Sequence, residues 1–264
     1  MTGARSGGLE GHVRERLATK RLLLMTHAVV GYPSLAASWA MLEAMDAAGV
    51  DLVELQLPFS EPIADGPAFV KANQAAIQAG TSWQAYFDLM ARAAKRFRFS
   101  LLFMGYYNSV FQMGAERFCA RLGAAGARGF IVADLPPEEA RALNAAARAK
   151  DLDPILLMTP TNSPARLAEI GRQASGFVYC VARKGVTGTK TDLSQGVEAL
   201  VARCRRATAL PLAVGFGIKT PADVRGLRGL ADIAIVGTAC LEAWEQRGPS
   251  GYGEFLKELA AETT

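Results

Sequence analysis

The feature that most constrains this chain is a repeated alternation. Eight short apolar runs, at residues 22–30, 50–57, 100–104, 129–132, 154–158, 176–181, 210–214 and 232–236, are each followed by a stretch of helical character. Runs of this length without polar alternation suit strands buried on both faces. The Ala-rich amphipathic segments between them, such as 34–48, 114–125, 137–150, 164–174 and 194–208, several opened by Ser, Pro or Gly, suit helices. Parallel neighbours need a crossover, and eight such units without a long polar linker favour closure into a barrel over an open doubly wound sheet. The expectation is α/β: a single (β/α)8 barrel of the TIM type, with extra helices near the N-terminus and after the second strand, at 68–98. The 264 residues match the size of one such barrel, about 250 residues, so 1–264 reads as one domain with a flexible tail at 1–10.

Other function classes are disfavoured. A formal net charge of +4, spread along the chain, argues against nucleic acid and leaves room for an anionic ligand. Cys119, Cys180, Cys204 and Cys240 lie far apart, and with only His12 and His27 no metal-ligand spacing appears, so no metal is expected. The N-terminus lacks the apolar segment of a signal peptide, and no run approaches the ~18 apolar residues of a membrane span. The chain therefore reads as cytoplasmic and not membrane-bound.

Ligands of such barrels meet the loops after the strands. Three of these loops are glycine-rich: Lys184-Gly185-Val186-Thr187-Gly188, Gly215-Phe216-Gly217-Ile218-Lys219 and Gly237-Thr238-Ala239. Glycine lets backbone N–H groups approach phosphate oxygens, and a helix start behind them adds a favourable dipole. Gly188, Gly217, Gly237 and the Thr238 hydroxyl are the candidate phosphate-binding groups. The second strand carries Glu54 among apolar neighbours. It is either a strand-end glutamate paired with a basic residue or a carboxyl whose pKa burial raises into the range useful for proton transfer. Asp65 follows in the loop Pro58–Pro67, either as turn chemistry or as a second working carboxylate. Tyr106 and Tyr179 are further pocket candidates, although aromatics on strands are more often core.

At these residues the chain resembles the tryptophan synthase alpha subunit family, from about Leu22 to Glu242. The segment Glu54-Leu55-Gln56-Leu57-Pro58-Phe59-Ser60-Glu61-Pro62-Ile63-Ala64-Asp65-Gly66-Pro67 is the most specific match. Tyr106-Tyr107-Asn108, Val132-Ala133-Asp134-Leu135-Pro136, Gly185-Val186-Thr187-Gly188, Gly215-Phe216-Gly217-Ile218 and Gly237-Thr238 support it. The resemblance implies a carbon–carbon lyase of tryptophan biosynthesis that splits indole-3-glycerol phosphate into indole and glyceraldehyde 3-phosphate without a cofactor. It implies Glu54 as the proton-transfer group, Asp65 as acceptor of the indole N–H, and Thr187 in a loop that closes over substrate. It also implies docking on a pyridoxal-phosphate-dependent beta subunit, a surface that Tyr32 and Tyr107 would alter.

Four positions depart from that pattern. Gln56 replaces a glycine and should face the same way as Glu54. His27 replaces a Phe, Lys184 a Ser, and Tyr32 the Asp of a Gly-Asp-Pro turn. These changes read either as drift or as added polarity in a pocket suited to indole. The alternatives are therefore a homologue acting on a more polar phosphorylated substrate, or a non-catalytic activating subunit for a beta-type partner. Retention of both Glu54 and Asp65 weighs against the last.

Overall fold

The computed structural model describes residues 8–181, 193–215 and 217–264. Its elements follow in the order α1 (Leu9–Leu17), β1 (Leu23–Val29), α2 (Leu35–Ala48), β2 (Leu52–Gln56), α3 (Pro67–Gln78), α4 (Trp83–Arg96), β3 (Ser100–Gly105), α5 (Tyr107–Met113) and α6 (Ala115–Ala124). Then come β4 (Gly129–Val132), α7 (Arg141–Arg148), β5 (Asp153–Pro154), β6 (Leu156–Met158), α8 (Pro164–Gln173), β7 (Val178–Val181) and α9 (Leu193–Ala207). Last are β8 (Leu212–Gly215), α10 (Pro221–Arg225), β9 (Ile233–Val236) and α11 (Thr238–Ala261). Local chemistry marks several boundaries. Ser34 caps α2 by accepting from the Ala37 N–H, and Thr220 with Asp223 forms a reciprocal capping box on α10.

The strands form one sheet in the order β5-β4-β3-β2-β1-β9-β8-β7-β6, all pairs parallel. Its two edges are halves of the expected fifth strand, separated only by Ile155, so the sheet closes on itself as an eight-stranded barrel. Pro154 at the break has no N–H to give to a ladder, and here it ends β5. The expected helical stretch at 68–98 is two helices, α3 and α4, parted at the Gly80-Thr81-Ser82 turn. Leu9 and Glu10, assigned to the tail in the sequence reading, open α1 instead.

Alternation along the strands divides the core in two. Inward residues such as Leu23, Met25, Leu52, Leu102, Met104, Ile131, Phe177, Ile233 and Ile235 fill the barrel, and α1 adds Leu9 and Val13 to that cluster. The larger cluster lies between strands and helices, around Tyr86, Phe103 and Phe118. Leu9 is tied down by its N–H, which donates to Asp153 Oδ2 at 3.0 Å.

Tyr32 follows β1 in the turn before α2. It is buried with Val29, Phe69, Ala72, Ala76 and Leu241, and its hydroxyl donates to the Glu245 carboxylate on α11. Lys71 on α3 reaches the same carboxylate at 3.2 Å. Because Glu245 keeps Lys71 and some solvent, Tyr32→Phe is expected to cost only about 1 kcal/mol, read from urea unfolding. A loss of several kcal/mol would mean that the hydroxyl anchors more than this one contact.

Candidate active site

The barrel mouth gathers most of the polar residues singled out in the sequence. Strand β2 points Leu52, Glu54 and Gln56 inward, since alternate side chains share a face. Glu54 lies opposite His27 on β1 and Leu102 on β3, and Gln56 lies one layer nearer the rim, opposite Val29 and Met104. Glu54 is 2% exposed, and its Oε2 stands 3.5 Å from His27 Nδ1. His27 stacks on Phe69 with ring centroids 4.3 Å apart.

Burial decides the charge states here. It lowers the His27 imidazole to about 4, the Gln56 side chain acting weakly the other way. Burial, with the nearby Asp65 charge adding to it, raises the Glu54 carboxyl to about 8. Near neutral pH this is a protonated acid beside a neutral imidazole, not an ion pair. Among the described residues Glu54 has no Lys or Arg within ion-pair distance.

Asp65 sits in the loop between β2 and α3. Its carboxylate accepts from Gln56 Nε2 at 2.6 Å, and its N–H donates to the Pro62 carbonyl at 2.9 Å. Burial raises Asp65, while hydrogen bonds from Gln56 and Tyr106 oppose that rise. The Tyr106 oxygen also accepts from the Ala64 N–H at 3.2 Å, and its ring stacks with Phe59. Tyr179 points inward from β7 and packs over Gly215 so closely that a Cβ there would come within 2.5 Å of its hydroxyl. Burial above all holds that phenol in its neutral form.

Gly237 and Thr238 lie at the start of α11, Gly237 as its N-cap and Thr238 exposed as its first residue. A Cβ on Gly237 would meet the Phe69 ring at 3.3 Å and His27 Cβ at 3.7 Å, so this turn adjoins the reacting end. Gly217 has φ +87°, a conformation that favours glycine. Lys184, Thr187 and Gly188 lie outside the described residues. Two contributors escaped the sequence reading. Phe69 supports His27, and Asn73, fully buried on α3, accepts from the Phe59 N–H at 2.9 Å and so pins the loop. A lone Asn in an Ala-rich helix was the available signal for the second; Phe69 gave none.

Among the described residues no cluster of three or more His, Cys, Asp or Glu is placed to hold a metal ion. No described helix is long and apolar enough to cross a membrane. Three buried polar atoms of the mouth, His27 Nε2, Glu54 Oε1 and Gln56 Oε1, have no hydrogen-bond partner among the described residues.

Fold and site together define a (β/α)8-barrel with a carboxyl buried in its mouth and raised by that burial, an arrangement suited to acid–base chemistry. The family model for the tryptophan synthase alpha chain matches residues 14–261. The tryptophan synthase alpha chain of Desulforapulum autotrophicum is 47% identical, covering 96% of this chain and all of that one. That of Geobacter sulfurreducens is 39% identical, covering 90% of each. Among solved structures, Mycobacterium tuberculosis tryptophan synthase superposes with a TM-score of 0.90 at 32% identity, covering 96% of this chain and 97% of that one. The alpha subunit from Legionella pneumophila gives 0.86 at 28%, covering 97% and 98%. The chain belongs to the tryptophan synthase alpha chain family, a family of lyase-type enzymes.

Proposed function

We propose that this chain cleaves indole-3-glycerol phosphate to indole and glyceraldehyde 3-phosphate. The observation that carries the reading is Glu54, buried in the mouth of a barrel of this family where burial raises its carboxyl to about 8. Glu54 gives its proton to indole C3, the bond from C3 to the three-carbon chain breaks, and the hydroxyl proton on the departing carbon returns to Glu54 as the aldehyde forms. Asp65 accepts from the indole N–H and offsets the positive charge that C3 protonation places on the ring. Tyr106 and Tyr179 line the pocket. The phosphate rests on Gly217, Gly237 and Thr238 at the N-terminus of α11, with Gly188 and Thr187 carried over from the motif alone. No cofactor enters this scheme, and residues 1–264 act as one cytoplasmic barrel domain.

A product assay with the isolated chain tests the reading. Indole and triose phosphate should appear in equal amounts, and their absence, with or without a beta subunit, would overturn it. One observation favours a second reading. Unpaired buried polar atoms at His27 and Gln56 cost on the order of 1–3 kcal/mol each against an apolar ring, which suits a more polar aryl phosphate. Slow cleavage of the indole compound alongside fast cleavage of a hydroxylated analogue would select it.

The proposed partner is a pyridoxal-phosphate-dependent beta subunit. An open groove of about 440 Å³, lined by Tyr107, Phe111, Asp134, Leu135 and Pro136 among others, supports this. So do Ile63 and Phe111, 78% and 66% exposed. Complex mass on mixing the two chains decides the point.

A further inference from the structure

We propose that Gln56 is a positioning residue for Asp65, its amide holding the loop carboxylate against the barrel wall before substrate arrives. Gln56 is the last residue of β2 and is fully buried. Its backbone is fixed on both sides, opposite Val29 and Met104, with its carbonyl accepting from the Val30 N–H at 3.0 Å. Asp65, nine residues on, belongs to a loop with no ladder bonds of its own. The 2.6 Å contact from Gln56 Nε2 to Asp65 Oδ2 therefore ties the loop carboxylate to the rigid strand through a short, charge-assisted hydrogen bond.

A glutamine that merely obstructed the pocket would not have its donor committed in this way. Only its acceptor, Oε1, lacks a partner among the described residues. The other titratable groups near the Asp65 carboxylate are Glu54 on β2, Tyr106 after β3 and Tyr179 on β7. Among the described residues no cation is paired with Asp65, so the Gln56 and Tyr106 hydrogen bonds are what favour its charged form. The substrate-facing part of this role rests on the lyase reading above; the hold on Asp65 does not.

The experiment uses Gln56→Met, which keeps length and volume but removes the donor, with Gln56→Gly beside it. Asp65 is followed by carbon-13 carboxyl NMR in the substrate-free chain and assigned with Asp65→Asn. Loss of the donor should raise the Asp65 midpoint by about one pH unit in both variants. In a chain that cleaves indole-3-glycerol phosphate, kcat/KM should fall about tenfold or more in both. An unmoved Asp65 midpoint, or variants that turn over as fast as the unaltered chain, would overturn the proposal. Failure of the unaltered chain to cleave the substrate would count against the lyase reading alone, since the titration still decides the role of Gln56.

Discussion

Glu54→Gln should lower kcat for indole release by about 10³-fold, within the range for losing a general acid–base group. The substitution is nearly isosteric and keeps the β1–β2–β3 ladder, so affinity for glycerol 3-phosphate as a probe of the phosphate end should be unchanged. Turnover and probe binding measured on the same preparation separate loss of chemistry from loss of fold. Retained turnover would remove Glu54 from its role. The unaltered chain should also show a fall in kcat/KM as pH rises through about 8, where Glu54 loses its proton. The sign for stability is the same. A carboxyl raised in the folded state contributes most below its ordinary value near 4.5 and loses that contribution as pH climbs towards 8. His27, lowered to about 4, runs the other way. Its contribution is full above about 6.5 and fades as pH falls towards 4.

The second large effect is at the seam of the barrel. Gly129 opens β4 and pairs with Asp153 on one side and Leu102 on the other. A Cβ at Gly129 would lie 2.3 Å from the Asp153 carbonyl oxygen and 2.8 Å from Ile155 Cδ1. The first neighbour is backbone, in the short segment through which the sheet closes, so it cannot swing aside as a flexible side chain would. Gly129→Ala is expected to cost about 3 kcal/mol in urea unfolding, the upper end for overpacking a core. The site residues lie on other strands, so kcat of the folded fraction should hold. A cost below about 1 kcal/mol would show that the Asp153–Met158 segment relaxes freely.

The barrel was legible in the sequence because its strands are apolar on both faces and its helices are not; that contrast survives without any knowledge of contacts. The split of the fifth strand was less visible, since Pro154 lies inside an otherwise continuous apolar run. The break between α3 and α4 was signalled by Gly80 and Ser82, but helical composition on both sides masked it. In the site, Glu54 stood out as a charge inside an apolar strand, and the inward aim of Gln56 followed from the two-residue period of β2. The bond from Gln56 to Asp65 did not follow, because the path of a loop is set by contacts such as Asn73 to Phe59 that no periodicity encodes. The burial of Tyr32 was hidden for the same reason. Its partners on α3 and α11 are distant in sequence, and an aromatic in a turn reads as surface until they are known.

Helix α1, which places Leu9 and Val13 against the inner cluster, makes the barrel a vessel with a floor. Among the described residues the apolar side chains of Leu9 and Val13 fill the end of the barrel away from Gln56, so depth along the axis sorts the interior into a dry base and a polar upper layer.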